Sequence, residues 1–192
     1  MQNKMKLLLK SGHNVFNMDD LGLVWGQNKR SDTVQSARDY ARKGELIRLR
    51  RGLYVVDQQN IQIEEVAGRA FTPSYITGET VLAMQGLIFP ATTEVYCAAL
   101  KTKRIAINGY EIIYHMLKPE VFYNPIGIEN RDNFAVASLE RAIADLIYIY
   151  DGKYDFERLH DVDWGKLTKI GKIYQKKVVI KRIDDLRRRM YE

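Results

Sequence analysis

Apolar positions in the first 56 residues recur three times at helical spacing and then switch to the two-residue period of a strand. Residues 3–10 predict a short helix with Met5, Leu8 and Leu9 facing inward, ended at Gly12. Val15-Phe16 reads as an extended segment, and Asn17 or Asp19-Asp20 begins a second helix carrying Leu21, Leu23, Val24 and Trp25. Gly26-Gln27-Asn28 is the turn before a third helix, for which Ser31 is the expected N-cap and Asp32 favours the positive end of the dipole. Val34, Ala37 and Ala41 give that helix one narrow apolar face, while Asp32, Gln35, Ser36, Asp39 and Lys43 project from the other. Gly44 stops it in the C′ manner. A hairpin follows, with strands at 46–49 and 53–56 about an Arg50-Arg51-Gly52 turn. A capped helix followed by a basic-tipped hairpin is the outline of a winged helix-turn-helix, whose recognition helix enters the major groove while the wing lies beside the phosphates.

Beyond a polar stretch at 57–60, read as a linker, the pattern becomes mixed. Residues 63–70 predict a short helix. Tyr75-Ile76 is extended, and Thr77 caps a helix with Val81, Leu82 and Met84 that ends at Gly86. After Pro90 the chain is rich in β-formers: 93–99, then 104–107 and 110–116 flanking Asn108-Gly109, the strongest short hairpin signal, matching a type I′ turn. Residues 122–128 and 134–137 are weaker strand candidates. Ser138 opens a long apolar helix closed by Asp151-Gly152. From 155 onward the pattern is helical, with Gly165 and Gly171 read as breaks and 176–190 as a basic final helix striped by Val179, Ile180, Ile183 and Leu186.

Charge sharpens this picture more than composition does. The 192 residues carry a formal net charge of +6, but residues 1–56 hold eleven Lys/Arg against five Asp/Glu, residues 57–164 nine against sixteen, and residues 165–192 ten against three. A basic head, an acidic middle and a basic tail suggest a polyanion at the head. The single cysteine, Cys97, rules out an internal disulfide and a CxxC metal site, fits a buried strand position, and agrees with a reducing cytoplasm. Lys4, Lys6 and Lys10 interrupt any signal-peptide start, and no run of about eighteen apolar residues predicts a membrane span. His13, His115 and His160 are far apart, without HxH, HExxH or Cys/His spacing, and no GxGxxG or GxxxxGK[ST] loop is present, so no metal and no cofactor is expected. Arg141 and Asp145 stand i, i+4 on an otherwise apolar helix, where an ion pair orienting the helix is favoured over a partner contact by Asp145. Glu140 can serve the helix dipole without any chemistry. Tyr148 and Tyr150 are spaced so that both cannot be core, and an exposed tyrosine there can stack on a base.

Several segments together resemble the AbiEi antitoxins of type IV toxin–antitoxin, or abortive-infection, systems. The head carries the Arg50-Arg51-Gly52-Leu53-Tyr54 wing; the stretch from Tyr75-Ile76-Thr77 through Val81-Leu82 to Gly86-Leu87-Ile88 looks like the family's Tyr-Ile-Ser…Ala-Leu…His-Gly-Leu segment; and the helix from Ala137 to Tyr148 looks like its Pro-Glu-Lys-Ala-Leu-x-Asp-Leu helix. Gln85 stands where a His is common and Leu139 where a Pro is common. The resemblance implies a head that binds inverted repeats in its own promoter and represses the operon. It also implies a remainder that counteracts a nucleotidyltransferase-like toxin without forming a stable complex with it.

The expectation is therefore an α+β chain, with a winged helix-turn-helix DNA-binding domain over residues 1–57 and a mixed α/β antitoxin-like domain over 61–192. The expected function is that of a DNA-binding repressor and antitoxin, not an enzyme. Lys29, Arg30, Thr33, Gln35 and Ser36 are expected nearest the bases of double-stranded operator DNA, with Ser31, Arg42, Arg48, Arg50 and Arg51 completing the interface. Two rivals remain: a nucleic-acid-modifying enzyme, and an RNA-binding module using both basic ends.

Overall fold

The computed structural model describes residues 3–89, 93–131, 133–157, 159 and 161–190. They form a mixed α+β fold of N-terminal helices with a small antiparallel sheet, then a six-stranded mixed sheet and C-terminal helices. The chain divides into two compact units, Met1–Thr72 and Pro73–Glu192.

In the first unit, α1 (Lys4–Lys10) starts at Asn3, whose side chain accepts the amides of Met5 and Lys6. Strand β1 (Val15–Asn17) runs into α2 (Met18–Trp25) through a capping box in which Asn17 and Asp20 bond each other's backbone. Gly26, left-handed at φ 65°, turns the chain towards α3 (Arg30–Arg42). The hairpin is β2 (Ile47–Arg50) and β3 (Leu53–Val55), and β3 also pairs with β1, giving the order β1-β3-β2. Leu8, Phe16, Met18, Leu21, Trp25, Ala37, Leu46 and Tyr54 form the core.

Three expectations about these helices are corrected. Leu9 is 66% exposed and Leu23 83% exposed, while Leu7 packs on the core instead of Leu9. Ser31 lies inside the first turn of α3 and caps nothing; Lys29 is the N-cap and makes no side-chain cap bond. Ala37 lies in the core with Val34 and Ala41 packed against it, as expected, but the covered face of α3 also takes in Thr33, which was expected nearest the bases. Thr33 is buried because its hydroxyl bonds back to the Lys29 carbonyl and packs on Gly22 of α2, so its polarity did not mark it as exposed.

The polar stretch 57–60 is tied down. Asn14 exchanges bonds with the Asp57 backbone and donates to the Asn60 carbonyl, and Asp57 starts a short 3-10 turn at Gln58–Asn60. Helix α4 (Ile63–Ala70) forms where expected but belongs to this first unit rather than to the second. The carboxylate of buried Glu65 accepts the amides of Asn14 and Val15, both at 3.0 Å, and Arg69 pairs with Asp20 at 2.9 Å. Those amides enter β1 without a strand partner, so Glu65 supplies acceptors that the sheet does not.

The second unit contains β4 (Ser74–Ile76), α5 (Gly78–Met84), β5 (Glu94–Ala99), β6 (Lys103–Ile107), β7 (Tyr110–Met116), α6 (Pro119–Phe122), β8 (Ile128–Asn130), β9 (Ala135–Ala137), α7 (Leu139–Ile149), α8 (Trp164–Ile173) and α9 (Lys177–Arg189). The sheet order is β6-β7-β5-β4-β9-β8, with β5–β7 and β4–β9 parallel. Asn108 and Gly109 sit at φ 51° and 80°, as a type I′ turn needs. Residues 122–128 do not form a strand: Pro119 starts α6 and the chain then loops to β8. Gly165 and Gly171 do not break the helix either; both lie within α8, and the break falls at Gln175, φ 50°. A Cβ on Gly171 would collide with Ile183 Cδ1 of α9, so the glycine allows close helix approach.

Helix α7 packs against α5, α8 and α9. Arg141 and Asp145 are both fully buried, 3.4 Å apart. Asp145 accepts the hydroxyls of Thr77, Tyr75 and Tyr174, and Arg141 donates to Tyr75 and to the carbonyls of Val121, Asn124 and Ile126. Burial raises the pKa of Asp145, while Arg141 and the three hydroxyls pull it back. So enclosed, Asp145 has no surface to offer a partner; the pair orients α7. Cys97 is buried in β5. Among the described residues no helix is long and apolar enough to cross a membrane.

Candidate nucleic-acid interface

The residues singled out for DNA contact divide into three groups. Lys29, Arg30, Ser31, Gln35 and Arg42 are exposed on α3 or at its start. Gln35 donates to the Asp39 carboxylate at 3.1 and 3.2 Å, and Arg42 reaches the same carboxylate at 3.1 Å. Arg30 pairs with Asp19 at 2.6 Å while both stay well exposed, so the pair is weakly held and can open to a stronger anion.

Thr33 and Ser36 form the second group and are turned inward. Thr33 is buried, which removes it from any base-reading face. Ser36 is half-buried and accepts from Lys4 Nζ at 2.6 Å and Gln27 Nε2 at 3.1 Å, fastening α1 and the α2–α3 turn to α3. Short hydroxyl side chains at these positions lock the helices together.

The hairpin supplies the third group. Alternation from Leu46 sends Arg48 and Arg50 to one face, but a bulge between them shifts the ladder: Arg48 faces Tyr54, whereas Arg50 faces Leu53. Gly52, at φ 78°, completes a two-residue turn with Arg51. Arg48 is exposed, with its Nε bonded to the Arg50 carbonyl at 3.3 Å; Arg50 is half-buried; Arg51 is exposed at the tip.

Helix and hairpin enclose a cleft of about 370 Å³ whose walls are Arg30 and Arg38 of α3 and Arg48 and Arg51 of the hairpin, with Met18, Val34, Gly52 and Tyr54 completing it. Four guanidiniums around a partly apolar floor make a site for phosphate oxygens, because each presents a planar fork of donors. Among the described residues, Arg38, Arg48 and Arg51 carry no ion pair. Arg38 was not among the residues expected from sequence. Its signal was present in the spacing Arg30, Val34, Arg38, two i, i+4 steps along the helix, which puts all three on the side facing the hairpin.

Elsewhere, His160 lies outside the described residues, and His13 packs edge-on to Phe16. No group of three His, Cys, Asp or Glu is placed to hold a metal ion among the described residues. Tyr148 is covered by Tyr174 and by Lys176 Nζ, 4.5 Å above its ring, and Tyr150 is 38% exposed. Compared with known proteins, the chain matches no protein-family model and no curated sequence.

Proposed function

We propose that the chain is a DNA-binding transcriptional repressor that acts in the cytoplasm as the antitoxin of a type IV toxin–antitoxin operon, and is not an enzyme. On this reading the first unit is a winged helix-turn-helix, with α2 and α3 as its helices and the β2–β3 hairpin as its wing. The second unit is the antitoxin-like part. The arginine cleft between α3 and the hairpin carries the DNA-binding half of the reading, since it combines a helix face able to reach base edges with cations placed for the backbone alongside. The antitoxin half rests on the order of the segments that resemble AbiEi proteins, and with it come a promoter with inverted repeats and a nucleotidyltransferase-like toxin held in check without a stable complex.

Binding of the whole chain to the duplex upstream of its own gene, to a scrambled duplex and to structured RNA, each across a salt series, tests the reading. The upstream duplex is expected to bind tightest. Replacing Arg38 and Arg51 by Ala should weaken binding to both duplexes alike and flatten the log–log salt slope by roughly 2 units, at about 0.9 for each phosphate no longer neutralised. Equal affinity for RNA and both duplexes, or an unchanged slope in the folded double variant, would move nucleic-acid binding away from this cleft.

A further inference from the structure

A row of half-buried rings crosses one face of the second unit, and the function proposed above does not use it. Tyr96 of β5 stacks on His115 of β7 with centroids 6.0 Å apart and planes 4° from parallel. His115 is 6.2 Å from Tyr150 at the end of α7, Tyr150 is 5.5 Å from Tyr154, and Tyr154 is 4.8 Å from Phe156. Two carboxylates edge the row: Glu94 accepts the Tyr96 hydroxyl at 2.5 Å, and Glu79 of α5 accepts the Tyr150 hydroxyl at 3.5 Å.

The second oxygen of Glu79, Oε2, is buried and has no hydrogen-bond partner among the described residues, and the same holds for Nε2 of His115. A first-turn glutamate favours the helix dipole, but that leaves a buried carboxylate oxygen without a donor, an arrangement proteins ordinarily avoid. Burial raises the Glu79 pKa by more than its own amide and the Tyr150 hydroxyl lower it, and Glu94 adds to the rise. Arg104 pairs with Glu111 at 2.8 Å. Burial, with Arg104, lowers the pKa of His115.

We propose that this face binds an aliphatic ammonium ion, its N–H donors on the Glu79 carboxylate and its methylene stem along the tyrosine rings. Aromatic faces attract cations, and carboxylates at both ends repel phosphate, so a nucleotide stacked on the rings is disfavoured. The chain uses the same contact internally, where Lys176 Nζ sits over Tyr148. The ammonium comes from a free polyamine or from a lysine side chain of another protein, and the two differ only in what the stem is attached to.

Calorimetric titration of the intact chain with spermidine, and separately with an acetylated hexalysine peptide, tests this. Saturable binding is expected for at least one probe: spermidine alone assigns a free amine, and the peptide binding more tightly assigns a lysine side chain. Glu79→Gln and Tyr154→Ala should each weaken it about tenfold, while Glu129→Gln, an exposed carboxylate on β8, should leave it unchanged. Circular dichroism of each variant separates lost binding from lost fold, and either of the first two variants suffices if the other unfolds. No saturable binding of either probe, or equal binding by folded Glu79→Gln and Tyr154→Ala, would overturn the assignment.

Discussion

Asp39 holds Gln35 and Arg42 at once on the exposed side of α3, so one carboxylate restrains both the amide and the guanidinium that the proposed function would offer to bases and phosphates. Asp39→Asn removes a negative charge from the face proposed to meet DNA and frees Arg42. Anisotropy measurements should show tighter binding to every duplex, with a salt slope steeper by about 0.9; weaker binding would mean that the Gln35–Asp39 pair orders the reading face. Glu140 poses a different problem. Burial works against its charge, but hydrogen bonds from Lys166, from its own amide and from Ser138 outweigh that cost and lower its pKa from 4.5. A carboxylate lowered on folding contributes stability that is complete above its unfolded value and is lost as pH falls through its folded value. Urea midpoints of Glu140→Gln should therefore fall less steeply than those of the parent below 4.5. Parallel curves for parent and variant would remove Glu140 from the acid response.

Elements with strong local signals formed where the sequence placed them. Helix α4 and strand β7 keep their expected ends, because one has a single amphipathic period and the other follows an Asn-Gly turn. Two of the failures share one cause: a tertiary neighbour decided the conformation. Gly171 reads as a helix breaker until Ile183 of α9 is seen against it. Residues 122–128 look extended by composition, yet their carbonyls turn towards the Arg141 guanidinium, which is far away in sequence. In the candidate site the arginines were legible as a cluster, but which of them share a cleft depended on a bulge with no sequence mark of its own. Gly171→Ala puts a methyl against the buried Ile183 side chain and should cost about 1–3 kcal/mol, read from chemical denaturation of the whole chain. Gly165→Ala on the same helix meets only Asp163 Oδ1 at 3.3 Å and should be much milder.

For the whole molecule, the place where the chain divides follows from Glu65 rather than from the polar stretch before it. A fragment ending at residue 60 lacks the carboxylate that satisfies the Asn14 and Val15 amides and lacks the Arg69–Asp20 pair. A fragment spanning residues 1–72 keeps both and is expected to unfold cooperatively. Glu65→Ala within it should cost about 2–4 kcal/mol, since one buried and one half-buried donor lose their acceptor together. Thermal melts that coincide for the two fragments would show that α4 adds nothing to the first unit.

The Asp145 network also bears on how the protein is made. The Tyr174 hydroxyl that Asp145 accepts lies 29 residues further along the chain. Translation adds roughly 5–20 residues per second, so the carboxylate waits roughly 1.5–6 s for a partner it needs before it can leave water. During that interval α8 is still incomplete and α9 is not yet made, so the apolar face of α7 lacks their cover. Nascent second units are thus most exposed to proteases and chaperones while the residues of α8 and α9 are still being added, after those of the first unit.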